Sequence, residues 1–360
     1  MVRLPIVGLI VALAILLVGC GETGTALPPA PRTEGTDRPR IDVHAHAIVR
    51  GQANRDAEAV SRAFAALGDH GLRAMLLMPP PQPTVGRALP ELVAAARSRP
   101  REIGFLAGGD TLNPMIHASR ADASAGTELR EDFAAEARRL LSLGAKGFGE
   151  ITAHHVSIRP GHPYESVPAD HPLLLLLADI AAEARVPIEF HFDVVTLRLP
   201  RPDGLQPTNP STFEPNLAAF ERLLAHNRNA RIVWAHAGSD VLGHWTPELA
   251  GRMLGDHPNL AMSLRLAPGR APENHTLLPG NAGITPRWLE VFEKHPDRFV
   301  IGADQFFAAG EQGSPAEAFA RLAPMVRQRT QAFLRALPPD LARNFGVENA
   351  VRLYRLTPPD

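Results

Sequence analysis

Short apolar runs alternate with longer amphipathic stretches along this chain from Ile41 onward. The apolar runs begin near Ile41, Ala74, Ile103, Ala145, Pro187, Ile232, Leu260 and Phe299. Their length and their content of branched and aromatic residues predict strands. The stretches between them carry apolar residues at helical spacing, most clearly over Ala57–Leu67, Glu128–Leu143, Pro172–Arg185, Pro215–His226 and Pro286–His295. Proline early in several of these suits a helix start, where its fixed φ fits and its missing N–H costs nothing. Further helices are expected over Pro315–Leu337, Pro339–Phe345 and Val347–Tyr354. Eight strands separated by helices predict an α/β fold, a single-domain (β/α)8 TIM barrel, with a doubly wound open sheet as the alternative. Val194–Thr212 and Ala267–Thr285 are rich in Pro and Gly, follow strands 5 and 7, and are expected to be loops over the barrel mouth. There is no internal repeat and no sign of a second domain.

Five of the strands end in a residue that can bind a metal. They are Ile41-Asp42-Val43-His44-Ala45-His46, Lys146-Gly147-Phe148-Gly149-Glu150, Ile188-Glu189-Phe190-His191, Ile232-Val233-Trp234-Ala235-His236 and Val300-Ile301-Gly302-Ala303-Asp304. His44 and His46 stand two apart, so on a strand both point to one face, which in a barrel is the interior. His191 and His236 each close an apolar strand, where a single histidine is commonly structural. Four neutral imidazoles around one mouth, with no ligand to hold, would leave many donors and acceptors to satisfy. Asp304 has three readings: a metal ligand, an acceptor for a proton from metal-bound water, or an N-cap for the next segment. A barrel gathers the C-terminal ends of strands 1, 4, 5, 6 and 8 around one mouth, whereas an open sheet spreads them along a line.

Strand 4 presents two candidates. Lys146 would serve if carbamylated, as in some proteins of this architecture, and Glu150 would serve directly. Depth separates them. Arg231 precedes His236 by five residues and Arg298 precedes Asp304 by six, while Gly144 precedes Glu150 by six and Lys146 by only two. Four residues of strand span ~13 Å. Glu150 is therefore expected at the mouth, and Lys146 near the floor as an interior salt-bridge or packing residue.

Composition narrows the function. The 360 residues carry a formal net charge of −1 and a sequence pI near 7.0. That balance, and the few aromatics, give no reason to expect a nucleic-acid partner. Arg3 followed by the apolar run Leu4–Val18 reads as a processing signal, too short for a membrane span. It ends at Leu17-Val18-Gly19-Cys20, which resembles a bacterial lipobox. By that resemblance residues 1–19 are removed, and Cys20, the only cysteine, becomes a lipidated N-terminus. A transmembrane anchor and an ordinary secretory signal are the alternatives. Gly21 follows in place of the inner-membrane retention aspartate, which points to an outer-membrane protein facing the periplasm. Residues 21–40 are rich in Gly, Thr, Pro and Arg and are expected to be a flexible tether.

With these motifs in hand, residues 41–356 resemble the metal-dependent amidohydrolase superfamily, specifically amidohydrolase family 2. The resemblance rests on Asp42-Val43-His44-Ala45-His46, on the strand-end His191 and His236, on Gly302-Ala303-Asp304, and on the closing stretch Leu337-Pro338-Pro339 to Asn349-Ala350-Val351-Arg352-Leu353-Tyr354. Gly149-Glu150-Ile151 is similar to TatD-like hydrolases, whose strand-4 glutamate is a metal ligand. The resemblance implies a (β/α)8 barrel with one or two divalent ions, Zn(II) first and Mn(II), Fe(II) or Ni(II) as alternatives. It implies attack by metal-bound hydroxide on a small ester, lactone, amide or phosphoester. Some family 2 members decarboxylate or hydrate instead, so a decarboxylase is one alternative and a non-catalytic metal- or ligand-binding lipoprotein another. Carried over, His44, His46 and Asp304 would hold one ion, His191 and His236 would hold a second or complete a mononuclear site, and Glu150 would bridge or ligate. Asp304 would also move the proton. It is followed by Gln305 rather than a second acid, which departs from the adenosine-deaminase-like pattern.

Outside this set, Arg265 ends strand 7, where it would bind an anionic group of a small-molecule substrate or pair with a loop carboxylate. His154 and His155 would contact substrate or lie on an exposed loop. His275 and Tyr164 fall in expected lids.

Overall fold

The computed structural model describes residues 37–48, 53–81, 89–122, 124–266, 277–278, 283–308 and 315–358. The signal run, Cys20, the tether up to residue 36 and His275 lie outside the described residues. No helix among the described residues is long and apolar enough to cross a membrane.

Eight parallel strands form the centre. They are β1 (Arg40–Ile48), β2 (Leu72–Met78), β3 (Ile103–Phe105, resuming after Leu106 as Ala107–Gly108), β4 (Phe148–His155), β5 (Pro187–Phe192), β6 (Arg231–Ala237), β7 (Leu260–Leu264) and β8 (Phe299–Ile301, resuming as Gln305–Ala308). Each pairs with the next in chain order, and β8 pairs back onto β1. The break in β3 is where the ring closes. Its first part pairs with β2 and its second with β4. At the junction the Leu106 N–H donates to the Leu77 carbonyl at 2.9 Å, and the Phe105 carbonyl accepts from the Lys146 N–H at 2.8 Å. The eight strands thus make the (β/α)8 barrel, with neither side of the sheet left as an edge.

The helices fall between the strands: α1 (Ala53–Ala66), α2 (Leu89–Ser98), α3 (Leu112–Ala118), α4 (Thr127–Ser142), α5 (Pro172–Ala184), α6 (Leu217–His226), α7 (Pro247–Asp256), α8 (Pro286–Lys294), α9 (Pro315–Ala336), α10 (Pro339–Arg343) and α11 (Asn349–Tyr354). The proline signals mark real starts. His171 caps α5 by accepting from the Leu173 N–H at 3.3 Å, and Thr246 caps α7 by accepting from the Leu249 N–H at 3.1 Å, each with proline next. The start of α6 slips from Pro215 to Leu217. Asn216 is taken by the loop after β5, accepting from the Val195 N–H at 2.7 Å and donating to the Asp193 carbonyl at 3.0 Å.

Two apolar layers hold the barrel. Outside, Phe192, Phe220, Trp234 and Trp245 pack between β5, β6 and the helices, and the Trp234 indole N–H is satisfied by the Phe192 carbonyl at 2.9 Å. Burial of each such side chain contributes roughly 1.5–3 kcal/mol. Inside, Ile41, Val43, Leu76, Leu106, Val233 and Val300 pack with Leu353 and Tyr354 of α11. Helix α11 therefore plugs the floor and leaves the other end for polar chemistry.

Candidate metal centre at the barrel mouth

A change of phase in β1 aims its two histidines. Ile41 and Val43 face the inner apolar cluster, and the pairing of β1 with β2 shifts register between Asp42 and Ala45. Asp42 holds that irregularity. Its Oδ1 accepts from the His44 N–H at 3.1 Å and the Ala303 N–H at 2.9 Å, and its Oδ2 accepts from the Gln305 side chain at 3.2 Å. Asp42 thus ties β1 to β8 and brings His44 and His46 inward. Gly302 permits this approach, since a Cβ there would lie 2.8 Å from the Ser263 Cβ and 3.1 Å from the His44 Cβ.

The ring nitrogens are assigned by their partners. The His46 Nδ1 faces the Pro79 carbonyl at 3.3 Å, and a carbonyl only accepts, so a neutral His46 carries its proton on Nδ1. The His44 Nδ1 faces Glu189 Oε1 at 3.1 Å in the same way. Both Nε2 atoms are then lone-pair acceptors, yet they face each other at 3.1 Å. Around them stand further acceptors: Glu150 Oε2 at 3.7 and 3.5 Å, and Asp304 Oδ1 at 3.9 and 3.4 Å. On its other side Glu150 Oε1 lies 2.5 Å from the His191 Nδ1 and 2.9 Å from the His236 Nε2. Three groups within this set have ligand atoms close enough for an ion: His44, His46 and Glu150; His44, His236 and Asp304; and Glu150, His191 and His236. A buried cluster of facing acceptors needs cations. Four imidazoles and two carboxylates without a thiolate suit a divalent metal of the Zn, Mn, Fe or Ni kind.

Local backbone strain marks two of these residues. His236 and Asp304 have φ of 68° and 53°, the left-handed region that costs a side-chain-bearing residue about 1–3 kcal/mol. The Asp304 N–H is held by the His44 carbonyl at 2.9 Å, and its Oδ2 pairs with the Arg265 Nε at 2.8 Å. Burial works to raise the Asp304 pKa, but Arg265 and then His46 outweigh it and keep the carboxylate ionised. Burial likewise opposes charge on Glu150, His44 and His191. The facing charges prevail, holding Glu150 well below 4.5, His44 well above 6.5 and His191 up to about 10. Without a metal ion, then, protons occupy the cluster. Loading the apoprotein with zinc near neutral pH is expected to release about one proton or more per ion. The apparent affinity should fall as the pH drops, because protons compete below the raised imidazole pKa values. A dilute indicator reads this directly, and metal uptake without acidification would show that the rings are neutral.

The other expected residues are placed as follows. Arg265 lines the cavity, and its carboxylate partner is Asp304 rather than a loop acid. His154 and His155 are not on an exposed loop. β4 runs on through them, with both side chains buried, because Glu165–Ser166 pairs antiparallel to them. His155 borders the cavity, while His154 turns away from it, its Nδ1 on the Asp193 carbonyl at 2.5 Å and its ring edge-on to Tyr164 and Phe213. Lys146 lies at the floor, its Cγ beside Gly104 and near Leu356, outside the metal-capable groups. The cavity, about 110 Å³, is also bordered by Arg159, His162, Asp193 and Phe306. Sequence reasoning did not single out Glu189 or Asp193. Alternation along β5 carried the signal, since Glu189, His191 and Asp193 stand two apart.

The family profile described as Amidohydrolase matches residues 41–356, and the chain belongs to that family. Its members are metal-dependent enzymes of the amidohydrolase superfamily, and so is this protein. No curated protein matches the chain. Among solved structures, dihydroxybenzoic acid decarboxylase from Polaromonas sp. JS666, with bound manganese and the inhibitor 2-nitroresorcinol, is 14% identical and superposes with a TM-score of 0.52 over 88% of this chain and 97% of that one. The 5-carboxyvanillate decarboxylase from Novosphingobium aromaticivorans DSM 12444, complexed with manganese, is 13% identical, with a TM-score of 0.49 over 90% and 98%. A probable 2-pyrone-4,6-dicarboxylic acid hydrolase from Acinetobacter baumannii is 13% identical, with a TM-score of 0.46 over 88% and 99%. At such identities the likeness is one of fold.

Proposed function

We propose that this protein is a hydrolase with two divalent ions that cleaves a small ester, lactone, amide or phosphoester. One observation carries the reading: the two oxygens of Glu150 face different histidine pairs, Oε1 towards His191 and His236 and Oε2 towards His44 and His46. A single buried carboxylate between two imidazole pairs suits a bridge. His44, His46 and Asp304 would hold one ion, His191 and His236 the other, with Zn(II) as the first candidate. When bound there, the metal supplies Lewis acidity and lowers the pKa of water towards ~7. Asp304 is the proton carrier in this reading. Its Oδ1 faces the histidines, while Arg265 holds its Oδ2 and keeps the carboxylate ionised. An ionised carboxylate can accept a proton, and the same carboxyl group would return it to the leaving group. His155 and Arg159 on the cavity wall would orient the substrate.

Decarboxylation is the second reading. Two arginines, Arg159 and Arg265, border the cavity and suit a substrate carboxylate, and the Polaromonas decarboxylase shares the fold. One experiment separates the two. The chain is stripped with a chelator, reloaded with Zn(II) or Mn(II), and assayed on a panel of esters, lactones, amides, phosphoesters and hydroxybenzoates. Metal-dependent acid or alcohol release supports hydrolysis. Carbon dioxide release without it overturns the hydrolase reading.

Lipid anchoring belongs to the same proposal. Its support is the Leu17-Val18-Gly19-Cys20 run. Cys20→Ser is expected to abolish fatty-acid labelling and leave the signal uncleaved. Wild-type protein that appears soluble, with a cut elsewhere, would remove the anchor from the account.

A further inference from the structure

Glu189 is a buried acid on β5 that does not border the cavity. It lies below the histidines on β5, fully buried, and three groups converge on it. The His44 Nδ1 is 3.1 Å from its Oε1, the Ser263 hydroxyl donates to the same oxygen at 2.5 Å, and the Tyr354 phenol donates to Oε2. None of the three is a permanent cation, so Glu189 is no ordinary buried ion pair. Tyr354 belongs to α11, the helix that plugs the floor, and its ring packs in the inner apolar cluster. The chain from the floor to the mouth is therefore Tyr354, Glu189, His44.

We propose that Glu189, pinned by Ser263 and Tyr354, is a positioning residue that fixes the His44 proton on Nδ1, so that the closing helix α11 sets the metal affinity of the mouth. The inference rests on the metal reading above and deepens it. Ser263 and Tyr354 both donate to Glu189, and its Oε1 faces the His44 Nδ1 as the acceptor of a third bond. With Nδ1 as donor, the His44 Nε2 presents a lone pair to the cluster formed with His46, Glu150 and Asp304. The opposite tautomer would aim an N–H into that cluster and block the ion. Burial and the adjacent Glu189 push the Tyr354 phenol well above its ordinary 10, so it stays a donor at any working pH. An outer partner of this kind typically governs metal affinity by ~10- to 100-fold.

The test uses the full chain, stripped of metal, and Zn(II) or Co(II) with a competing chelator. Glu189→Gln is expected to weaken binding by ~10- to 100-fold. Tyr354→Phe keeps the ring and removes one donor, and should weaken binding by about 3- to 10-fold with little change in the Tm of the metal-free protein. It should also shift the visible absorption bands of the Co(II) form. Leu353→Ala, a neighbouring floor residue outside the chain of hydrogen bonds, should lower Tm and leave metal affinity unmoved. Tyr354→Phe answers the question even where Glu189→Gln does not fold. Wild-type affinity and spectrum in Tyr354→Phe, or a loss in Leu353→Ala as large as in Tyr354→Phe, would overturn the inference. A wild-type chain that binds no divalent ion would overturn the metal reading itself, and the inference with it.

Discussion

Glu150→Ala is expected to strip metal from the protein, while Lys146→Ala leaves metal content unchanged and costs only stability. Among the described residues, Glu150 is the one side chain whose two oxygens reach both histidine pairs. In the proposed two-ion arrangement its removal takes a ligand from both positions, so affinity should fall by more than the ~10- to 100-fold typical of an outer partner. The folded apoprotein should suffer as well. Protonated His191 and His44 would keep their burial cost and lose the carboxylate that offsets it. Lys146 lies four residues earlier, at the floor, where its removal disturbs packing near Gly104 and Leu356. Metal analysis and thermal melts of both variants decide the matter. A metal-free Lys146→Ala beside a metal-loaded Glu150→Ala would reverse the assignment.

Asp304→Asn is expected to lower kcat by ~100- to 10,000-fold while changing KM far less. The amide keeps the shape of the side chain and removes the base. It also removes the charge that Arg265 holds at 2.8 Å, leaving that guanidinium beside the cavity without its anion. Tighter binding of an anionic inhibitor is a side effect worth measuring. Since Asp304 is also a candidate ligand, kcat must be compared at equal metal content. Near wild-type kcat in a fully loaded variant would move the proton-carrying role to another residue, with His155 next in line on the cavity wall.

Much of this was legible in the chain because two periodicities do not interfere. The strands are apolar on both faces for most of their length, so a polar residue at a C-terminal end stands out, and the depth count on strand 4 favours Glu150, which the structure groups with the histidines. Contacts over long sequence distance were not legible. Glu189 has partners 145, 74 and 165 residues away, and nothing local to Ile188-Glu189-Phe190 indicates them. The role of Asp42 was hidden because strict alternation would place His44 on the face of Asp42, whereas an irregular register in β1 resets the phase. Of the two readings for His154 and His155, the exposed loop fails because β4 runs on past Glu150 to His155. Their adjacency already implied that on a strand only one could face the cavity. In α6 the proline signal was sound, but Asn216 was needed elsewhere.

Glu150 is proposed to bridge two metal positions. The most direct measurement is the number of divalent ions bound per chain, by elemental analysis of the protein after saturation with Zn(II) and removal of the excess. Two ions per chain are expected in the wild type, and neither in Glu150→Ala. A wild type that saturates at a single ion, or a Glu150→Ala variant that still holds two, would contradict it.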